Sequence, residues 1–144
     1  MFSKACEYGI KASIFIAINS YEGKLVSPKE IAIEIDSPQA FTAKILQALV
    51  KHDIVNSVKG AYGGFEIDKN KIATVKLNHI VNAIDGDSIY NECGLGLHKC
   101  DEAHPCPVHD KFKAIRDGLK FMLEETSLEE LALNIKSGAS FLKV

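Results

Sequence analysis

Two helix-start signals stand ten residues apart in the first half of the chain, and their spacing constrains the fold more than any other feature. Ser27-Pro28-Lys29-Glu30 supplies an N-cap hydroxyl, a proline at the first helical position and a glutamate that can bond back to the cap. Ser37-Pro38 repeats the start, and apolar residues at helical spacing follow it through Val50. The sequence therefore predicts a short helix, a turn of about three residues and a second helix, which is a helix-turn-helix.

The elements on either side of this unit extend the pattern. Apolar residues on one face predict a first helix over residues 3–21, and β-prone segments at 54–58 and 65–67 flank the glycine-rich turn 60–64. Three helices followed by a two-stranded hairpin is the order of elements in a winged helix-turn-helix domain. We therefore predict a mainly α fold with a small β-hairpin, in which residues 1–72 form a winged helix-turn-helix DNA-binding domain.

The remaining residues, 73–144, are predicted to hold a ligand loop and the helices of dimerisation. Residues 88–107 lack hydrophobic periodicity and are longer than a compact domain usually tolerates without a functional or ligand-imposed reason. A long helix follows, whose apolar residues recur at spacings of four and three, form a coiled-coil seam and predict a second copy of the chain as partner. The seam residues are Val108, Phe112, Ile115, Leu119 and Met122. A capping box at 127–130 opens a final helix.

Composition limits the class of protein. The 144 residues are 47% hydrophobic and 25% charged, which describes one globular unit and excludes intrinsic disorder. No apolar run approaches the roughly 20 residues that cross a bilayer, and the charged N-terminus is unlike a secretory signal. We therefore expect a cytoplasmic protein with no membrane partner. The net charge of -2 offers no overall attraction to nucleic acid, so any DNA contact must come from local charge.

Three of the four cysteines fall within fourteen residues of the irregular segment: Cys93, Cys100 and Cys106. In a reducing compartment, thiols clustered on a loop are typical of metal ligation, because the loop backbone can aim several thiolates at one centre. Gaps of six and five residues favour an iron-sulfur cluster over structural zinc, whose sites usually contain a tighter cysteine pair. A zinc site of three cysteines and one histidine is the first alternative, and three incidental thiols are the second.

A cluster held by three cysteines needs a fourth ligand. His109 begins the helix after Cys106, where one helical turn can bring its imidazole to the side of the thiols. Glu7, on the first helix, is by sequence alone an ordinary surface charge. Its neighbour Cys6 is expected to be a core thiol.

The second helix of the helix-turn-helix and the hairpin carry the candidate DNA contacts. The N-terminal half of that helix enters the major groove in such units, and residues 38–64 hold three lysines against one aspartate. Glycines at the hairpin tip allow close approach to a phosphate backbone, where lysine and tyrosine supply contacts. The candidates are Ser37, Gln39, Ala40, Thr42, Ala43 and Lys44 in the helix and its start, and Lys59, Gly60, Tyr62 and Gly63 in the hairpin.

These motifs together resemble the Rrf2 family of bacterial transcription regulators, which contains iron-sulfur, nitric-oxide and cysteine-metabolism regulators. The matching pieces are residues 7–12, the helix-turn-helix at 27–50, the hairpin at 58–65, the three-cysteine loop and the long helix after it. The sequence departs from the usual pattern in two ways. The first cysteine gap is six residues where five is common, and Lys59 stands where arginine is usual.

The resemblance implies a homodimer whose long helices cross, a palindromic double-stranded DNA operator, and a [2Fe-2S] or [4Fe-4S] cluster whose state alters DNA affinity. It also draws attention to Glu7, because family members take the fourth ligand from a histidine placed like His109 or from an acidic residue of the partner subunit's first helix placed like Glu7. Both residues are present here.

We therefore expect a dimeric DNA-binding regulator that senses redox, iron-sulfur or nitric-oxide status through its cluster. The alternatives are a zinc-stapled or cluster-free regulator of the same type, and a winged-helix module that contacts protein instead of DNA. No nucleophile-base-acid trio, phosphate loop or dinucleotide fingerprint is visible in the sequence, so we do not expect an enzyme.

Overall fold

The computed structural model describes residues 1–143, which form eight helices and one two-stranded antiparallel sheet. The predicted mainly α fold with a small β-hairpin is confirmed. The elements are α1 Lys4–Tyr21, α2 Pro28–Glu34, α3 Gln39–Lys51, β1 Asn56–Val58, β2 Gly64–Glu66, α4 Lys69–Thr74, α5 Leu77–Ile84, α6 Ser88–Asn91, α7 His109–Glu125 and α8 Leu128–Lys136.

The helix-turn-helix begins where its capping signals predict. The Ser27 hydroxyl accepts from the Glu30 amide at 3.1 Å, and the Glu30 carboxylate accepts from the Ser27 amide at 2.7 Å, which completes a capping box. The second of these bonds holds the pKa of Glu30 below its usual range. Asp36, at a φ of 53°, reverses the chain, and α3 then starts after Pro38.

The β-hairpin is attached to the helix-turn-helix by a third extended segment. β1 and β2 pair with Ser57 opposite Phe65. Val26, just before α2, exchanges two backbone hydrogen bonds with Phe65, at 2.8 and 3.2 Å. The β-hairpin, which we call the wing, is therefore fixed to the extended segment that precedes α2.

One hydrophobic core joins the two halves of the chain. Its fully buried side chains come from α1, α2, α3, α4, α5, α8 and the end of α7, and include Ile16, Leu49, Ile80, Leu123 and Leu128. Helix α5 packs against α1, α3 and α7. The irregular segment that carries the thiols leads directly into α7. Helix α7 packs against α5, and α5 also packs against α3 of the helix-turn-helix.

Two short helices lie where the sequence predicts none. α4 follows the hairpin, and α6 forms the first four residues of the predicted loop 88–107. A helix of one turn is too short to produce a hydrophobic period, and the bonds that fix α6 are made by polar side chains: the Tyr90 hydroxyl donates to Asn82 and the Asn91 amide donates to Asp87. The irregular segment is therefore residues 92–108, which we call the thiol loop.

Within residues 1–143, no helix is both long enough and apolar enough to cross a bilayer.

The core assignment predicts a large difference between two neighbouring residues of α3. Leu49 is fully buried, whereas Val50 is at the surface. We expect Leu49→Ala to lower the free energy of unfolding by about 2–5 kcal/mol, because it leaves a cavity, and Val50→Ala to change it by less than about 0.5 kcal/mol. Urea denaturation of both variants at one protein concentration measures this, and equal losses would contradict the assignment.

Candidate thiol centre and nucleic-acid interface

The three loop cysteines are free, half-buried thiols that the fold arranges with His109 in two pairs. The Cys106 side chain lies close enough to Cys93 to help lower the pKa of the Cys93 thiol. The Cys100 sulfur lies 3.4 Å from Nδ1 of His109, which is the first residue of α7 and is buried. All four groups of the predicted ligand set from this segment therefore have a neighbour within the set.

The local backbone lowers the pKa of the Cys93 thiol. The amides of Leu95 and Leu97 are hydrogen-bonded to its sulfur, and these two bonds are the main reason why its pKa is lowered; smaller contributions come from Cys106 and from the charge of Arg116. The thiolate is the form of cysteine that ligates metals. The turn at residues 93–96, closed by a hydrogen bond of 2.9 Å from the Gly96 amide to the Cys93 carbonyl, keeps this sulfur beside the amides.

Arg116 of α7 also contacts the thiol loop. Its Nη2 donates to the Cys100 sulfur at 3.0 Å, and its Nη1 donates to the Glu92 carbonyl at 2.5 Å. Its Nε is buried and has no hydrogen-bond partner among residues 1–143. No motif predicts a role for this residue, although the sequence holds one signal: Arg116 is the only arginine in the chain.

A close glycine contact seats the loop on α7. A Cβ atom at Gly94 would lie 2.7 Å from the Phe112 ring, a distance that real Cβ atoms do not show. The loop backbone can therefore rest on the ring only because residue 94 has no side chain. Phe112 is accordingly half-buried against its own chain.

The donor set suits an iron-sulfur cluster, although no single-ion site is preformed. Thiolates are the usual ligands of these clusters, an imidazole can replace one of them, and hydrogen bonds to the sulfurs are typical of their sites. Cys93 and Cys100 both accept such bonds from groups other than cysteine. Among residues 1–143, however, no three His, Cys, Asp or Glu side chains lie together closely enough to hold one metal ion.

Among residues 1–143, Glu7 makes no hydrogen bond or ion pair with this ligand set in its own chain. Its carboxylate pairs with Lys4, one turn away on α1, at 3.0 Å and remains partly exposed. The neighbouring Cys6 is fully buried, and burial, followed by its contact with Asp85, raises the pKa of Cys6 to about 12. Asp85 also accepts from the amide and the hydroxyl of Ser3, so that it links the end of α5 to the start of α1.

The exposed face of α3 contains most of the residues predicted to contact DNA. Gln39, Ala40, Ala43 and Lys44 are exposed, and Ser37 is half-buried in the turn before them. Thr42 is the exception. It is fully buried and its hydroxyl donates to the Pro38 carbonyl at 3.1 Å, because position 42 lies on the core side of the helix.

One further residue extends this exposed face. Gln47 lies one turn after Ala43 and Lys44 and is exposed. It is not among the predicted contacts, although its position four residues after Ala43 places it on the same side of a helix. Glutamine is one of the side chains that reads adenine in a major groove.

The wing presents its predicted contacts to solvent. Lys59 and Gly60 are exposed, Gly63 is half-buried, and the Tyr62 side chain is 96% exposed. Aromatic side chains usually bury much of their area. Tyr62 is unusually exposed and lies at the tip of the hairpin near Lys59. This is the position expected of a residue that contacts a partner.

The apolar seam of α7 is divided between two surfaces. Leu119 packs against this chain's own core, Phe112 packs against Gly94 of the thiol loop, and Val108, just before the helix, is half-buried. Ile115 and Met122 are 64% and 41% exposed, and Phe121, which the seam did not include, is 67% exposed. We call Ile115, Phe121 and Met122 the exposed apolar stripe. The five-residue seam stays a prediction of dimerisation.

Cys6 and the loop cysteines should differ strongly in reactivity. Only the thiolate reacts with iodoacetamide, and at pH 8 a pKa of about 12 leaves roughly one Cys6 in 10⁴ ionised. In reduced, metal-free protein we expect the three loop thiols to be alkylated while Cys6 stays unmodified, as read by peptide mass spectrometry. Alkylation of Cys6 at a rate similar to that of Cys93 would contradict this. Denatured protein, in which all four should react, is the control.

Comparison with known proteins identifies the family of this chain. Residues 2–134 match the model of the Rrf2 family, described as an iron-dependent transcriptional regulator. A protein of Aquifex aeolicus named as an HTH-type transcriptional regulator is 31% identical over 138 residues, covering 94% of this chain and 93% of that protein. The HTH-type transcriptional regulator NsrR of Oceanobacillus iheyensis is 27% identical over 133 residues, covering 91% and 88%.

A solved structure shares the fold. The global cysteine regulator CymR of B. subtilis superimposes with a TM-score of 0.76 at 22% identity, over 92% of this chain and 96% of that one. The family match spans the helix-turn-helix, the wing, the thiol loop and α7. The chain is therefore a member of the Rrf2 family of DNA-binding transcriptional regulators.

Proposed function

We propose that this regulator works as a homodimer on a palindromic operator and senses redox, iron-sulfur or nitric-oxide status through a [2Fe-2S] or [4Fe-4S] cluster held by Cys93, Cys100 and Cys106. The observation that carries the proposal is the thiol loop itself. Its sulfurs accept hydrogen bonds from backbone amides and from Arg116, and it is seated on α7. The family's description as iron-dependent supports iron as the metal.

His109 is the fourth ligand that the geometry favours. It is buried and already touches Cys100 within one chain. Glu7 of the partner subunit is the other choice that the family resemblance offers. A histidine or carboxylate ligand binds iron less firmly than a thiolate and can exchange, so this position is where oxygen, nitric oxide or a change of redox state would act.

The exposed apolar stripe of α7 supports the homodimer. Ile115, Phe121 and Met122 lie on one side of the helix, and Gly118 between them leaves room for a close approach of a second helix. Exposed apolar side chains grouped in this way are typical of an interface. Two copies joined along α7 would present two α3 helices, which matches an operator with two half-sites.

Helix α5 provides the route from the thiol loop to the reading helix. It contacts α7, on which the loop is seated, and also α3 and α1. Asp85 at its end holds Ser3 at the start of α1. A change in how the thiols are held shifts the loop on α7, and this packed route passes the shift to the two α3 helices, whose spacing must match about one turn of DNA.

The wing lysine should act as a phosphate contact. We expect Lys59→Met to weaken binding to DNA of any sequence and to reduce the slope of log affinity against log salt concentration by about one per bound subunit, because one fewer counterion is released. The probe is a set of duplexes selected by the wild-type protein from a random pool. Lys113→Met is the matched control, since Lys113 pairs with Asp117 on α7 at 2.8 Å. An unchanged slope for Lys59→Met would contradict the assignment.

The cluster and its fourth ligand can be tested on one set of preparations. Wild-type protein purified without oxygen should absorb broadly in the visible range and contain iron and acid-labile sulfide, whose stoichiometry gives the nuclearity. We expect His109→Ala to lose most of the iron and Glu7→Gln to retain it. The reverse pattern would assign the ligand to Glu7 of the partner subunit. Colourless wild-type protein with one zinc per chain would contradict the sensor proposal.

A further inference from the structure

The single arginine of the chain lies at the thiol loop. Sixteen of the seventeen Lys and Arg residues are lysines, and they include the basic residues of the wing and of α3. All the other positively charged Lys and Arg positions of the chain are therefore lysines. Position 116 is the one place where the chain uses a planar guanidinium with several fixed donors.

The contacts of Arg116 depend on the several fixed donors that distinguish a guanidinium from an ammonium. Two of its nitrogens bind two acceptors on opposite sides of the loop turn, the Glu92 carbonyl at 2.5 Å and the Cys100 sulfur at 3.0 Å. An ammonium has one nitrogen on a flexible stem, so it cannot reproduce this fork with the same fixed geometry. The side chain therefore ties residue 92 and residue 100 to the same turn of α7.

The third nitrogen of Arg116, Nε, lacks a hydrogen-bond acceptor among residues 1–143. A buried N–H without an acceptor is uncommon in folded proteins and costs free energy. The Nε of Arg116 is such a group among residues 1–143, next to a sulfur of the predicted ligand set. An acceptor supplied by a bound group would satisfy it. The charge of the same guanidinium also reaches Cys93, the first ligand of the set.

We propose that Arg116 is the positioning residue of the thiol centre: it clamps the loop onto α7 and raises the reduction potential of the cluster. The inference deepens the proposed iron-sulfur function and rests on it. The physical reason is electrostatic. A reduced cluster carries one more negative charge than an oxidised one, so a positive charge and N–H donors beside its sulfurs stabilise the reduced state.

Three variants separate charge, fork geometry and a general effect of charge on α7. Arg116→Met removes charge and donors, whereas Arg116→Lys keeps the charge and loses the fork. Lys120→Met removes a charge one turn further along the helix, where the ammonium lies 5.9 Å from the centre of the Tyr90 ring. Matching circular dichroism of all four proteins establishes that each is folded.

The first measurement is the midpoint reduction potential of the cluster-bound proteins, followed by visible absorption. We expect a lower potential in Arg116→Met than in wild type, a smaller decrease in Arg116→Lys, and no change in Lys120→Met. A purely structural role for Arg116 would leave the potential of the variants unchanged, and that result would overturn the electrostatic part of the inference.

The second measurement does not depend on a cluster. In metal-free protein we expect hydrogen exchange of the amides in residues 92–103 to be about tenfold faster in both Arg116 variants, because a charge-assisted clamp has been removed, and unchanged in Lys120→Met. Equal exchange in all four proteins would overturn the clamp. Wild-type protein that binds no iron or sulfide would instead contradict the proposed function, and with it the electrostatic role, whatever the exchange data show.

Discussion

The packing of α5 against three other helices is the constraint on which the rest of the structure depends. This helix has eight residues and contacts α1, α3 and α7. Its last residue, Ile84, occupies the space beside Gly9 of α1, where a Cβ atom would lie 2.0 Å from the Ile84 side chain. Because interiors are densely packed, α7 cannot move far without moving α5, and α5 cannot move without α1 and α3.

The thiol loop rests on α7, at one end of this series of packed helices. Its cysteines are the groups that could react with a metal or an oxidant. It has no core of its own; it is held by the ring of Phe112, by Arg116 and by hydrogen bonds around its sulfurs. Few apolar contacts and several polar ones make a segment of low local stability, which is the kind of segment that a ligand can order. In the function we propose, the buried helices convert a local change in the loop into a displacement of α3.

The parts of the fold that the sequence predicted are those set by local interactions. The capping box at Ser27 depends on neighbouring residues and is found as expected. Helix α3 begins one residue later than the Ser37-Pro38 signal predicts, with Pro38 at the cap and no side-chain cap bond. The seam of α7 stays a prediction of dimerisation, and a heptad pattern identifies apolar positions without showing which of them also pack within the same chain. Phe112 packs on the loop, whereas Ile115 is exposed.

The candidate site shows the same limit. The residue types and spacing of the three cysteines pointed to metal ligation, and the order of elements pointed to the recognition helix. The roles of Thr42 and Arg116 depend on contacts across the fold. Thr42 lies on the inner side of α3, and Arg116 reaches a sulfur sixteen residues earlier in the chain. Periodicity does not encode such contacts, although the presence of one arginine among many lysines was visible in the composition.

The measurement that most directly tests the account is the affinity of one preparation for one selected duplex, before and after its cluster is removed, at a single salt concentration. The account predicts a change of about tenfold or more, reversed when the cluster is rebuilt, since coupling between two sites is commonly of this size. A variant with serine at Cys93, Cys100 and Cys106 should bind with one affinity throughout. Equal affinities of the cluster-bound and cluster-free wild-type protein would contradict the claim that the thiol loop controls DNA binding.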